Sequence, residues 1–198
     1  MSVNPTETPG AIRLGEDRIS PRLHEFDLVA LQYHHSRFVS WYHDYVLRRC
    51  VAAAATLRTG DRVLDYGCGA QSLKRHMPEG VSYVGYDVAA AFSDIDDPRG
   101  MKFDTVFAIQ MLMYLNREGL VELTEFFAEA TTRLVALVPA RNYLKDEILD
   151  RLLGVAELRN ATVQSTPEEV WEILGTRFAL TDRQNIFWMA DLTSWQRK

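Results

Sequence analysis

The chain has 198 residues, 47% of them hydrophobic and 25% charged, with a formal net charge of −5. That balance fits one globular domain with a core of its own. The acidic charge argues against a nucleic-acid binder, which shows a clustered basic face, and no apolar run approaches the roughly 20 residues of a membrane span.

Residues 1–19 are polar, carry Pro5 and Pro9 and lack an apolar signal-peptide region, so they read as a flexible arm. Cys50 and Cys68 are the only cysteines and form no C-x-x-C pair, which suits reduced thiols in a cytoplasmic protein. Ser20-Pro21 is a helix start, with serine as N-cap and proline at the first helical position. Residues 20–59 are then expected to form a helical cap ahead of a core spanning residues 60–198. Leu28, Leu31, His35, Phe38, Tyr42 and Tyr45 recur at steps of three or four, one helical face, and so long a pattern is expected to break once near Ser36 or Ser40. His34, His35 and His43 lack H-x-x-x-H spacing and point to different faces, so no metal site is expected. His35 is either a core histidine or a general base.

Val63 to Tyr66 is a short apolar strand running into Gly67-Cys68-Gly69-Ala70. Glycines there allow a sharp turn and a close approach to a ligand. A short helix is expected over Gln71–Met77 and a second strand over Ser82–Tyr86, ending at Asp87. That acid stands 18 residues beyond Gly69, near the spacing that sets a carboxylate opposite a ribose diol. Ser72 occupies the third position of a G-x-G-x-x-G fingerprint, which argues against a dinucleotide.

V-L-D-Y-G-C-G followed by Y-V-G-Y-D resembles the first two motifs of the class I S-adenosylmethionine-dependent methyltransferases, V-L-D-x-G-C-G-x-G and then G-x-D. The resemblance covers about Asp61 to Trp195. It implies an α/β, doubly wound, mostly parallel sheet of the seven-stranded type with a C-terminal antiparallel hairpin. It implies S-adenosyl-L-methionine as cofactor, with Asp65 near the amino end of its methionine, Gly67, Cys68 and Gly69 beneath it, and Asp87, followed by Val88, at its ribose. Gln71 departs from the pattern, standing where the family commonly has glycine. Tyr33 and Arg37, neighbours at i, i+4, resemble the Tyr-and-Arg pairs that hold the cofactor carboxylate, and Arg37 reads equally well as a solvated helix charge.

Past Asp87 the chain is brief for this family. One turn is expected at Ala89–Phe92 and a short, degenerate third strand at Ser93–Asp96. Asp94 and Asp96 are candidates for the adenine amino group, or else part of a solvated acidic loop. Lys102 to Gln110 resembles the fourth strand, which puts Gln110 to Tyr114 at the carboxyl end, where ligands of α/β sheets bind. N-P-P-Y and D-P-P-Y are absent, as is any acid placed as a divalent-metal ligand.

Asn116 is expected to cap a helix over Glu118–Ala130, followed by a strand over Thr132–Val138. Arg141, Asn142 and Tyr143 then emerge at the same edge, as substrate contacts or as a helix-capping loop, ahead of an amphipathic helix over Asp146–Leu153. Thr166-Pro167-Glu168-Glu169 is a capping box. Two final strands, Arg177–Arg183 and Ile186–Thr193, should form a hairpin, with Trp188 and Trp195 as packing residues. The function expected is methyl transfer to a small-molecule acceptor, oxygen ahead of nitrogen, by a monomer or homodimer with no nucleic-acid or membrane partner. Tyr42 and Tyr114 are candidates for the acceptor side. The alternatives are an accessory cofactor-binding protein without transferase activity, and a tRNA or protein methyltransferase.

Overall fold

The computed structural model describes residues 37–54, 57–140 and 163–198. Helix α1 (Arg37–Ala53) leads into strand β1 (Arg62–Tyr66), a 3-10 turn (Ser72–His76), β2 (Ser82–Tyr86) and a second such turn (Ala90–Phe92). Then come β3 (Thr105–Ile109), a turn at Leu112–Tyr114, α2 (Arg117–Ala130), β4 (Arg133–Pro139), α3 (Pro167–Arg177), β5 (Phe178–Ile186) and β6 (Ala190–Arg197). The six strands form one sheet in the order β2-β1-β3-β4-β6-β5. The first four are parallel, and β6 pairs antiparallel with both β4 and β5.

Near-continuous apolar runs in β1, β3 and β4 follow from burial on both faces. Alternate residues sort to opposite sides. Val63, Phe107, Val135 and Leu137 meet Val46, Leu47 and Cys50 of α1, whereas Leu64, Val106, Leu134 and Ala136 meet Leu120, Leu123 and Phe127 of α2 and Val170, Ile173 and Leu174 of α3. Two of the three caps read from the sequence are present, and the third, Ser20-Pro21, lies outside the described residues. Asn116 Oδ1 accepts from the Gly119 N–H at 2.9 Å, and Thr166 and Glu169 make the reciprocal capping box.

Two expectations need correction. Among the described residues the sheet has six strands, and Ser93–Asp96 is not one of them. From the carboxyl end of β2 the segment Val88–Asp104 must descend to the amino end of β3, and it is long enough for one descent but not for the further ascent and descent that an added parallel strand requires. Asp94 closes the edge instead. Its N–H donates to Gly85 O at 2.8 Å, and its Oδ2 accepts from the Gly85 N–H at 2.9 Å, so one residue supplies both bonds of an absent neighbour.

Of the two places where the long helical pattern is expected to break, α1 runs unbroken through Ser40 to Ala53, and Ser36 lies outside the described residues. The short helix expected after the glycine turn is the 3-10 turn Ser72–His76. Finally, Trp188 is not a packing residue: it sits at the β5–β6 tip with 61% of its surface exposed, whereas Trp195 is buried. The helix expected over Asp146–Leu153 lies outside the described residues, as do Tyr33, His35, Arg141, Asn142 and Tyr143. Arg37 is described only as the first residue of α1.

Candidate cofactor site

The carboxyl ends of β2, β1 and β3 stand side by side, and the loops leaving them carry most of the predicted cofactor residues. The loop after β1 is tied down through its backbone, with the Gly67 and Cys68 N–H groups both donating to Tyr86 O at 2.7 and 3.1 Å. Gly67 has φ +77°, and a Cβ there would lie 2.9 Å from Met111 Cβ, so only glycine lets the loops after β1 and β3 touch. Above Gly69, at φ +46°, the Cβ direction is open, with nothing within 4 Å.

Gln71 takes φ 54°. That left-handed conformation carries a steric penalty of roughly 1–2 kcal/mol for a residue with a side chain. Its side chain compensates. Nε2 donates to Phe92 O and to Asp94 Oδ1, both at 2.9 Å, and Oε1 accepts from Lys74 Nζ at 3.2 Å. Gly85 makes room for this arrangement, because a Cβ on it would stand 3.0 Å from Cys68 Sγ and 3.1 Å from Gln71 Nε2.

Asp87 joins the two motifs. Its Oδ2 accepts from the Gly69 N–H and its Oδ1 from the Ala89 N–H, both at 2.9 Å. A carboxylate offers about four lone-pair directions, so acceptor capacity is left for a ligand's hydroxyls. Val88 beside it is 44% exposed. Asp94, by contrast, is committed to Gly85 and Gln71, and those bonds hold its carboxyl below the ordinary range.

Asp65 is 3% exposed and accepts from the Tyr83 hydroxyl at 2.7 Å. Its direct partner across β1 and β2 is Gly85, which has no side chain; the diagonal neighbour Tyr83 therefore reaches it. Burial pushes the Asp65 carboxyl up to about 7, opposed by the Tyr83 hydrogen bond and assisted by the charge of Asp87. Cys68 places its thiol 3.4 Å from Phe92 O, and burial, then Asp65, Asp87 and Asp94, push it up to about 12. It is a packing thiol and not a nucleophile.

Gln110, at φ 59°, is the second left-handed residue with a side chain in these loops, after Gln71. Its N–H donates to Leu137 O at 2.8 Å, which turns the chain out of β3 directly over the sheet. Tyr114, predicted on the acceptor side, is buried. Tyr42 packs near Phe187, ring centroids 6.3 Å apart, and burial, then Cys50, push its hydroxyl up to about 12. Sequence reasoning missed Tyr83 and Phe187. Residue 83 lies two positions before Gly85, and that diagonal to Asp65 is a signal the strand register could have supplied.

No family model and no curated protein matches this sequence. Solved structures do. PhzM, a pyocyanin biosynthetic protein, superposes with a TM-score of 0.56 at 17% identity, over 75% of this chain and 54% of its own. ChlM, the magnesium protoporphyrin IX methyltransferase of Synechocystis PCC 6803 with bound SAH, gives 0.54 at 17% identity over 82% of this chain and 88% of its own. CalO1, a methyltransferase in calicheamicin biosynthesis in an SAH-bound form, gives 0.57 at 14% identity over 84% and 56%. The chain spans about half the length of PhzM and CalO1. It has the fold of the class I S-adenosylmethionine-dependent methyltransferases, in which ChlM and CalO1 hold SAH.

Proposed function

We propose that this chain binds S-adenosyl-L-methionine across the carboxyl ends of β2, β1 and β3 and transfers its methyl group to a small molecule, an oxygen acceptor ahead of a nitrogen one. The observation that carries this reading is the Asp87 carboxylate, fixed by the Gly69 and Ala89 N–H groups with acceptor capacity to spare beside the open space over Gly69. The residues present fit the cofactor: an acid for a ribose diol, a loop without side chains for close approach, and a second carboxyl, Asp65, beneath the loop.

When bound, the cofactor supplies a methyl group on a positively charged sulfur, open to in-line displacement by a lone pair. The protein's work is then placement, because a well-aligned pair at roughly 3 Å gains much of the rate from orientation alone. Asp87, at the end of β2, would accept from the ribose hydroxyls, Gly67 and Gly69 would leave room for the methionine, and Gln110 would stand beside it. Tyr33 and Arg37 are proposed for the cofactor carboxylate, and Arg141, Asn142 and Tyr143 for the acceptor. His35 is proposed as the base that takes a hydroxyl acceptor's proton.

The left-handed turn at Gln71 removes one of the two grounds for an accessory protein without activity. Titration calorimetry with S-adenosylmethionine tests the proposal, and absence of binding at millimolar cofactor overturns it. Incubation with crude metabolites and labelled cofactor then reads transfer, and a binder that labels nothing is the accessory protein.

A further inference from the structure

Asp65 is buried near the carboxyl end of β1, and the structure fixes it through one oxygen. Oδ2 accepts from the Tyr83 hydroxyl at 2.7 Å. No donor among the described residues reaches Oδ1. The strand partners of Asp65 are Gly85 on β2 and Phe107 on β3, neither of which has a side-chain donor.

Tyr83 is itself held in place. The Lys74 ammonium lies over its ring, 5.4 Å from the centroid, and is tied in turn to Gln71 Oε1 at 3.2 Å and Asp94 Oδ2 at 4.0 Å. Gln71 is anchored to Phe92 O and Asp94. A run of contacts therefore leads from the closed edge of β2 to the buried acid. The hydroxyl is a permanent donor, because burial and then the Asp65 charge push it far above the ordinary tyrosine value.

The other groups that face Asp65 give its charge no support. Cys50 on α1 and Cys68 in the glycine loop are raised by burial and then by Asp65, so both stay neutral thiols. Asp87 adds a repelling charge. Lys74 and Asp94 act on Tyr83 from its outer side. A hydrogen bond donated to a carboxylate favours its ionised form, and among the described residues Tyr83 is the group that supplies one.

We infer that Tyr83 is a positioning residue of the cofactor site: its hydroxyl fixes Asp65 through Oδ2, favours the ionised carboxyl and leaves Oδ1 to accept from the ammonium of the cofactor's methionine end. This rests on the methyl-transfer reading above. Calorimetry of the full chain between about pH 6 and 9 tests it, a range that spans the Asp65 titration. The probe is S-adenosylhomocysteine. The control is 5′-methylthioadenosine, which keeps the adenosyl thioether and lacks the amino acid.

In wild type, S-adenosylhomocysteine affinity should rise with a midpoint at about 7, while that of the control stays flat. Tyr83→Phe removes the donor and should move the midpoint up by about one pH unit, a loss of about fivefold at neutral pH, with the control within twofold. Fluorotyrosine at position 83, a more acidic and stronger donor, should move the midpoint down. The ligand's own ionisations are common to all three proteins and cancel in the comparison.

If wild type binds no S-adenosylhomocysteine at millimolar concentration, the methyl-transfer reading fails and takes this inference with it. If the product binds but its profile is flat, or its midpoint stays in place in both variants, the inference alone fails. If Tyr83→Phe weakens probe and control alike, Tyr83 is a packing residue and the inference is overturned. Should Tyr83→Phe not fold, the fluorotyrosine protein decides alone: a downward shift supports the inference and an unmoved midpoint overturns it.

Discussion

Asp65 is sealed beneath the glycine loop with one strong donor, Tyr83, and its carboxyl titrates at about 7 in the fold against an ordinary value of 3.8. An acid raised in the folded state lends stability that is complete below the unfolded value and is lost as pH rises through the folded one. The wild-type protein without cofactor should therefore lose roughly 1–3 kcal/mol from this group between about pH 4 and 7. Melting curves of wild type and Asp65→Asn across that range should converge at the acid end and diverge toward neutrality. Parallel curves would assign the pH dependence elsewhere. On the proposed reading the same charge would lie under the cofactor's ammonium, so affinity for S-adenosylmethionine should rise from pH 6 to 8 in wild type and stay flat in Asp65→Asn. At Asp87 the loop bonds and the proposed ribose contact would depend on one carboxylate. Asp87→Ala should weaken cofactor binding by about 2 kcal/mol or more, read by calorimetry, and an unchanged affinity would remove Asp87 from the site.

At the scale of elements, β2 is the outer strand on one side of the described sheet. An unpaired edge strand invites pairing with other chains, and Asp94 blunts it by imitating a strand with a carboxylate and a backbone amide. Asp94→Ala leaves the Gly85 N–H without its side-chain acceptor and Gln71 Nε2 with Phe92 O alone. Because the position is open to water, about 1 kcal/mol should be lost, a fall in Tm of about 2–4 °C. Asp94→Asn keeps an acceptor oxygen and should lose less; equal losses would show that charge, not the clasp, matters. The capping box of α3 is simpler. Thr166→Ala removes the acceptor of the Glu169 N–H, 3.2 Å away, and should cost about 1 kcal/mol in denaturant unfolding at unchanged slope.

For the molecule as a whole, a ligand that binds only the folded state stabilises it by mass action, about 2.7 kcal/mol at a hundredfold excess over Kd. S-adenosylhomocysteine at that concentration should raise Tm by several degrees, and Asp87→Ala should cut the rise to about a third or less at the same concentration. Much of this fold was legible because its signals are short-range. Two glycines and an acid on successive strands, the Asn116 and Thr166 caps and the double-sided apolar runs each depend on residues a few positions apart. What stayed hidden depends on neighbours far along the chain. The Tyr83 to Asp65 bond exists because register sets a glycine opposite the acid. The left-handed Gln71 is held by Phe92 and Asp94. The third strand was expected as a remnant because the chain there was visibly short, yet only the course of the sheet shows that a single acid closes the edge. Trp188 was expected in the core on hydrophobicity alone, and the hairpin register carried it to the tip.

The sequence by itself determined the strand, the glycine turn and the acid at the end of the second strand, because that pattern is written in local spacing. Only the tertiary structure decided the state of Asp65 and the closure of β2 by Asp94, because burial and register arise when distant segments meet.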